Sequence, residues 1–261
     1  MSSKPTRKLL TTVGPTIAWA AIALALFSSP ASAQPTTCTG VLTGGTYDSI
    51  VVPSGANCTL VSAKVKGNVQ VMPGGSLLTT GLPSTTIGGN VHGIHPKSVF
   101  MQFATQVGGN FNVHGGDAGT TSGFDIGAVI GGNATIEGNA GKTFVDAATI
   151  VRQLHVRMNT GPIEVEFNTV GAHLLVEDNV IDLACVPGVT PPPSFGAVIC
   201  GMSVTGNTVA FNLQVLRNSG DGSKAVQGNT VARRLVCRDN DDPFIGGPNP
   251  AAPQAEGQCN Q

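Results

Sequence analysis

Short stretches of alternating apolar and polar residues recur about every 20 to 23 residues along this chain. Apolar residues stand one and three positions after a recurring Gly-Gly-Asn-like site, and the residue between them is mostly polar. This period of two is typical of a β-strand, and the glycine and asparagine in the repeats disfavour a helix. The recurring site defines the frame of the repeat and lies at Asn68, Asn90, Asn110, Asn133, Gln153, His173, Asn212 and Arg234.

Equivalent positions in successive repeats carry residues of the same character. The column three before the frame contains Val65, Ile87, Val107, Ile130, Ile150, Val170, Val209 and Val231. The column one after it contains Val69, Val91, Phe111, Ala134, Leu154, Leu174, Leu213 and Leu235. One repeat cannot bury its apolar face alone, but stacked repeats share a core. The pattern therefore predicts an all-β protein, a right-handed parallel β-helix of about eight coils of about 20–22 residues each.

Asparagines and threonines also recur at fixed phase. Two asparagine columns contain Asn139, Asn159, Asn179, Asn218 and Asn240 in one and Asn168, Asn207 and Asn229 in the other. Because asparagine can hydrogen-bond to its own copy one coil away, these columns predict ladders at the corners of the coils. A single threonine column contains Thr86, Thr149, Thr169, Thr208 and Thr230. Such a column could bind an ice or crystal surface, but two columns side by side would suit that function better.

The repeat motifs resemble those of a known group of proteins. Val65 to Val71, Ile130 to Asn133 and the three Asn-Thr-Val steps are similar to the repeats of exported bacterial right-handed parallel β-helix proteins of pectate-lyase-like architecture. The resemblance covers roughly residues 45–240 and implies the fold. Since that architecture hosts polysaccharide lyases, hydrolases, adhesins and passive surface proteins, it leaves the function open.

The N-terminal residues predict export. A basic start, an apolar run from Ile17 to Phe27 and the small residues Ala31-Ser32-Ala33 are typical of a signal peptide over residues 1–33. We expect a secreted or cell-surface protein with no membrane span in its mature part, because no later apolar run reaches the roughly 20 residues required. The β-helix is predicted over 34–240, with a loop ejected at 182–200, and a Pro/Gly-rich tail over 241–261.

All six cysteines follow the predicted signal peptide, and an even number in an exported chain indicates disulfides. Cys38 and Cys58, like Cys237 and Cys259, are about one coil apart, whereas the two ends of the solenoid are separated by roughly 34 Å at ~4.8 Å per coil. Disulfide Cα atoms lie within about 7 Å, so each end is expected to carry its own bridge. The remaining pair, Cys185 and Cys200, would close the ejected loop.

Charged residues form two candidate sites. Four positions after the frame, Glu137, Arg157 and Glu177 lie on successive coils; the two carboxylates have a spacing close to that of an inverting glycosidase pair, but the arginine between them favours a structural ladder of charges. Asp146, Glu164 and Glu166 form a second acidic group, with Asp146 and Glu166 in one column. This group could bind calcium through oxygen ligands, or consist of solvated strand charges.

Other metal candidates are weaker. Asp239, Asp241 and Asp242 could hold calcium near the C-terminal end, but they lack the spacing of a calcium loop. His92 and His95 differ by an odd number of positions and would face opposite sides of a regular strand. We expect no metal and no cofactor.

The composition narrows the choice of partner. The formal net charge is −1, no basic tract is present, and nucleic acid is therefore not expected. The lone tryptophan falls in the predicted signal peptide and Tyr47 is the one tyrosine, so an aromatic platform for sugars would have to be built from phenylalanine. The sequence favours a non-catalytic structural or interaction module, which would meet an extracellular surface or a polysaccharide. The alternative is a polysaccharide lyase or glycoside hydrolase.

Overall fold

A computed structural model describes residues 34–102, 104–125, 127–181, 201–249 and 252–259. Within these ranges the protein is all-β, with no helix, and parallel strands stack into a β-solenoid of about ten turns. The predicted fold class is confirmed, whereas the predicted number of about eight coils is too low. None of the described segments is a helix long and apolar enough to cross a membrane.

Each full coil contributes one strand to each of three sheets, named sheets A, B and C. The described strands of sheet A are Thr36–Thr37, Ile50–Val52, Val69–Val71, Val91–Ile94, Phe111–Gly116, Ala134–Asn139, Leu154–Arg157, Leu174–Glu177, Leu213–Leu216, Arg234–Arg238 and Gln254–Gly257. Those of sheet B are Val41–Thr43, Asn57–Val61, Ser76–Thr80, Ser98–Met101, Thr121–Phe124, Lys142–Asp146, Ile163–Glu166, Gly201–Thr205, Ser223–Gln227 and Phe244–Gly246. Those of sheet C are Thr46–Tyr47, Lys64–Val65, Thr86–Ile87, Gln106–Val107, Val129–Ile130, Thr149–Ile150, Thr169–Val170, Thr208–Val209 and Thr230–Val231.

The register places equivalent residues above one another. In sheet A, Val156 pairs with Val176, and in sheet C Ile150 pairs with Val170. The apolar columns predicted from the sequence point inward and are buried along the length of the solenoid. At about 25 cal/mol for each Å² of apolar surface removed from water, this shared core is the main source of stability.

The Gly-Gly-Asn corner between sheets C and A is tight for a steric reason. A Cβ on Gly108 would lie 2.5 Å from the carbonyl oxygen of Gly88 one coil below, and a Cβ on Gly109 would lie 2.4 Å from Oδ1 of Asn90. That Oδ1 accepts a hydrogen bond from the backbone N–H of Asn110 at 2.8 Å. The asparagine therefore links the coils, and both glycines leave room for the close approach.

Buried asparagines occupy the other two corners. Asn179 is representative: its Oδ1 accepts hydrogen bonds from the backbone and side-chain N–H groups of Asn159, both at 3.0 Å. Its Nδ2 donates to Val156 O at 3.2 Å and to Asn218 Oδ1 at 2.8 Å. The residue before it, Asp178, has a left-handed φ of 56°, which turns the backbone so that the asparagine points inward. Equivalent bonds link Asn168, Asn207, Asn229 and Asn249.

The additional coils lie at the two ends. At the N-terminal end, Ile50 pairs with Val69 and Tyr47 with Val65. At the C-terminal end, two strands within the predicted tail, Phe244–Gly246 and Gln254–Gly257, extend sheets B and A. The predicted bridges Cys38–Cys58 and Cys237–Cys259 are present at these ends, with Cα atoms 5.4 and 5.2 Å apart.

The long interval in the repeat does not interrupt the stacking. Thr169 pairs with Thr208 across it, and Asn168 Nδ2 donates to Asn207 Oδ1 at 3.0 Å. Two neighbouring coils therefore flank residues 182–200. That segment, the Cys185–Cys200 pair predicted within it and the signal peptide predicted over residues 1–33 lie outside the described residues.

Candidate functional site

The outer face of sheet A carries the predicted column of charges. His114, Glu137, Arg157 and Glu177 lie in register on successive strands. Glu137 Oε2 accepts a hydrogen bond from the Arg157 guanidinium at 2.8 Å and lies 3.3 Å from Nδ1 of His114. The arginine is thus bound to one of the two candidate carboxylates.

Glu177 has its own partners. His155 Nε2 lies 2.8 Å from one carboxylate oxygen of Glu177, and Arg217 donates to the other at 3.0 Å. Arg217 also binds Asp178 through two hydrogen bonds, and this contact lowers the pKa of Asp178. Carboxylates held between arginine and histidine side chains in this way form a ladder across strands.

The outer face of sheet B carries a strip of apolar side chains. Leu78, Phe100 and Phe144, named here the phenylalanine strip, point outward and are half-buried. Phe100 and Phe144 pair with the same residue, Gly123, from either side, and their ring centroids lie 6.1 Å apart at an angle of 60°. A Cβ on Gly123 would lie only 1.9 Å from Phe144 O, so glycine is required between them. The rings therefore contact each other edge to face across that coil.

Polar residues border this strip on one side. Phe100 and Leu78 line a shallow groove of about 450 Å³, together with Thr59, Ser76, Ser98 and Thr121. Lys97 lies at its margin. An apolar floor beside hydroxyl groups suits a ligand that has both C–H and O–H surfaces.

Lys142 stands beside the second ring of the strip. Its ammonium lies 4.8 Å from the ring centroid of Phe144 and forms an ion pair with Glu164 at 2.8 Å. Glu164 thus belongs to an ion pair. Over the part of the chain that the structure describes, its two neighbours in the predicted acidic group, Asp146 and Glu166, form none.

A row of acidic residues borders the other side of the strip. Asp146 pairs with Glu166, and Asp125 directly follows Phe124, which pairs with Val145. We name Asp125, Asp146 and Glu166 the acidic row. Asp146 is 5% exposed, and its Oδ1 has no hydrogen-bond partner among the described atoms. Burial, and then the charges of Glu166 and Asp125, raise the pKa of Asp146 to about 6.

Glu166 differs from Asp146 in its environment. It is partly exposed, and one of its carboxylate oxygens accepts a hydrogen bond from the Ser203 hydroxyl. Two carboxylates on adjacent coils therefore occupy different surroundings: Asp146 is buried, and Glu166 is partly exposed and hydrogen-bonded to Ser203.

The predicted metal candidates do not converge. Over the ranges that the structure describes, no three His, Cys, Asp or Glu side chains are placed to hold a metal ion. His92 and His114 are in contact on sheet A, with ring centroids 5.9 Å apart, while His95 occupies a left-handed corner with a φ of 46°. Near the C-terminal end, Asp241 accepts a hydrogen bond from Gly220 N. Asp239 occupies a left-handed corner, and Asp242 precedes a cis proline.

One buried cation was not predicted from the sequence. Lys224 points into the solenoid, is 0% exposed, and donates hydrogen bonds to the carbonyl oxygens of Gly220 and Gly222 at 2.7 and 2.9 Å. Burial lowers its pKa. The contacts fix the corner between sheets A and B near the C-terminal end, so its role is structural.

Comparison of the chain with protein-family models, with curated proteins and with solved structures gave no match. The candidate site is therefore defined by the chemistry of sheet B. The sequence placed Asp146 and Glu166 in one column, as the structure does. It did not place the phenylalanines together, although Val99-Phe100-Met101 and Thr143-Phe144-Val145 each show an aromatic residue between two inward positions.

Proposed function

We propose that this protein is a non-catalytic, secreted or cell-surface interaction module that binds an extended polysaccharide along the outer face of sheet B. The observation that carries the proposal is the phenylalanine strip with its hydroxyl border. Sugar rings present C–H groups on their faces and hydroxyls on their edges, and aromatic side chains beside hydroxyl groups match both surfaces. A solenoid repeats its side chains at ~4.8 Å per coil, which gives a rigid, linear surface for a linear polymer.

The ion pairs of sheet A support a non-catalytic role. An inverting glycosidase needs one carboxylic acid with a raised pKa and space for a water molecule between the pair. Glu137 and Glu177 instead bind Arg157, His155 and Arg217 directly. Oxygens of both carboxylates are therefore engaged in ion pairs, as expected of a structural ladder.

We expect Phe100→Ala to weaken polysaccharide binding by about tenfold, equivalent to about 1.4 kcal/mol, because the variant removes the aromatic floor of the groove. The measurement is isothermal titration calorimetry of the purified mature chain against pectin, alginate and a glycosaminoglycan. Phe211→Ala is the matched control, since Phe211 lies at a corner between sheets C and A, stacked against Arg233. Equal affinities for the wild type and Phe100→Ala, or no binding by the wild type, would count against the proposal.

The acidic row supports one alternative function. Asp146 is a buried acid with a pKa raised to about 6 beside a second carboxylate. Glycoside hydrolases use a pair of carboxyl groups in which the pKa of the acid is raised. Because Asp146 is almost fully buried and Glu166 is bonded to Ser203, we regard hydrolysis as the second candidate.

A turnover assay separates the two functions. We expect no release of reducing ends or unsaturated sugars when the same three polymers are incubated with the wild type. Turnover by the wild type that is lost in Glu166→Gln or Glu137→Gln, with folding retained, would establish an enzyme and overturn the non-catalytic proposal. Asp117→Asn, on an exposed turn, serves as the control carboxylate.

A further inference from the structure

The outer face of sheet C carries no charged side chain along four consecutive coils. Thr149, Thr169, Thr208 and Thr230, named here the threonine row, pair directly with one another and are exposed. The next outward position on the same coils is occupied by Val151, Gly171, Ala210 and Ala232, all exposed. None of these eight outward positions carries an ionisable side chain.

The predicted threonine column is thus only partly continuous. Thr86 lies in the same register but is separated from Thr149 by Gln106 and Val129. Lys64 precedes Thr86 in that column, so its N-terminal part is charged. The four-coil run is the part of sheet C whose chemistry is uniform.

We propose that this part of sheet C binds ice. The Cα atoms of successive threonines in the row are ~4.8 Å apart. This spacing is close to a repeat of the ice lattice. Threonine has a restricted χ1, which limits the orientations of its hydroxyl and lowers the entropic cost of ordering water beside it. The neighbouring row of small residues exposes methyl groups and backbone, which do not hold a hydration shell as charged groups do.

The margins of this face fit the same ligand. Phe167, which is 64% exposed, lies at the corner beside the threonine row and adds apolar surface. Arg152 and Arg233 come one residue after the small-residue row, at the turn toward sheet A. The charged groups therefore lie at the edge of this surface rather than within it. This inference is independent of the phenylalanine strip, which lies on sheet B.

The test is ice affinity of the purified mature chain, measured as ice-crystal shaping and as the fraction of protein incorporated into a slowly growing ice hemisphere. We expect the wild type to shape ice, and the double variant Thr169→Lys, Thr208→Lys to lose shaping and fall to the incorporation of a non-binding protein. Thr86→Lys makes the same change in the charged part of the column and should retain full activity. Circular dichroism melts establish that all variants are folded.

Three results of the ice measurements would overturn the inference. They are a wild type that neither shapes ice nor enters it, a double variant that remains folded with full activity, and a loss of activity in Thr86→Lys equal to that of the double variant. Binding to microcrystalline cellulose in place of ice would also overturn it, in favour of a crystalline polysaccharide as the ligand. Calorimetry of the double variant against the three soluble polymers tests the sheet B proposal separately.

Discussion

Asn179→Ala is expected to lower the free energy of unfolding by about 3–5 kcal/mol, because it removes a fully buried amide whose hydrogen bonds link three coils. The variant deletes four side-chain bonds, two accepted from Asn159 and one donated to each of Val156 O and Asn218 Oδ1. The backbone N–H of Asn159 is left buried without its acceptor, and a buried unsatisfied group costs about 1–3 kcal/mol. Urea denaturation followed by circular dichroism measures the change.

The matched control is Asn110→Ala in the Gly-Gly-Asn corner. Asn110 Oδ1 accepts one hydrogen bond, from Asn133 N at 2.8 Å, at an exposed position where water can replace it. We expect a loss below about 1 kcal/mol. If Asn110→Ala costs as much as Asn179→Ala, then burial of the corner amides does not determine their contribution, and this account of the corners is wrong.

The fold was predictable because the constraint repeats. A residue such as Val156 is surrounded by its equivalents one coil above and one coil below, so each column must keep one character, and the sequence displays the register directly. The terminal coils were not predicted because the length of their corners or the size of their side chains differs from that of the other coils. The corner between Tyr47 and Ile50 is one residue shorter than that between Val65 and Val69, which shifts the frame.

At the C-terminal end, the cause is side-chain size. Ala255 and Gly257 occupy inward positions next to Leu235 and Cys237, where the other coils mostly have larger apolar residues. A terminal coil covers the core from one side and has less volume to fill, so small residues suffice there. The apolar signal that marks the other coils is consequently weak.

The candidate site on sheet B was harder to predict than the core. The corner between sheets A and B varies in length, so Phe100 and Phe144 do not share a distance from the frame, although they lie two coils apart in one column. The acidic pair was easier, because the corner after sheet B is uniform. Burial of Asp146, in contrast, depends on neighbouring coils and has no signature in the sequence itself.

Asp146→Asn is expected to stabilise the protein by about 2–3 kcal/mol at pH 7 and to leave its stability unchanged below about pH 4. The pKa of this carboxyl is about 6 in the folded protein, whereas its ordinary value, which applies to the unfolded chain, is 3.8. The folded state therefore binds more protons between these values, and wild-type stability falls as the pH rises through that window. Asparagine has nearly the same shape and stays neutral throughout this pH range.

The difference between the two unfolding curves, measured from pH 3 to pH 8 with a chelator present, isolates this one group. Arg217 lowers the pKa of Asp178, and Arg234 and Arg238 lower that of Glu256. These two carboxylates make the protein more stable as the pH rises. Their contribution is the same in the wild type and the variant, so it cancels in the difference. Asp117→Asn should change stability by less than about 0.5 kcal/mol at every pH. A pH-independent difference between wild type and Asp146→Asn would show that the carboxyl is not held in a dry site. Stabilisation of the wild type alone by added calcium would show that a cation, rather than a proton, neutralises the acidic row.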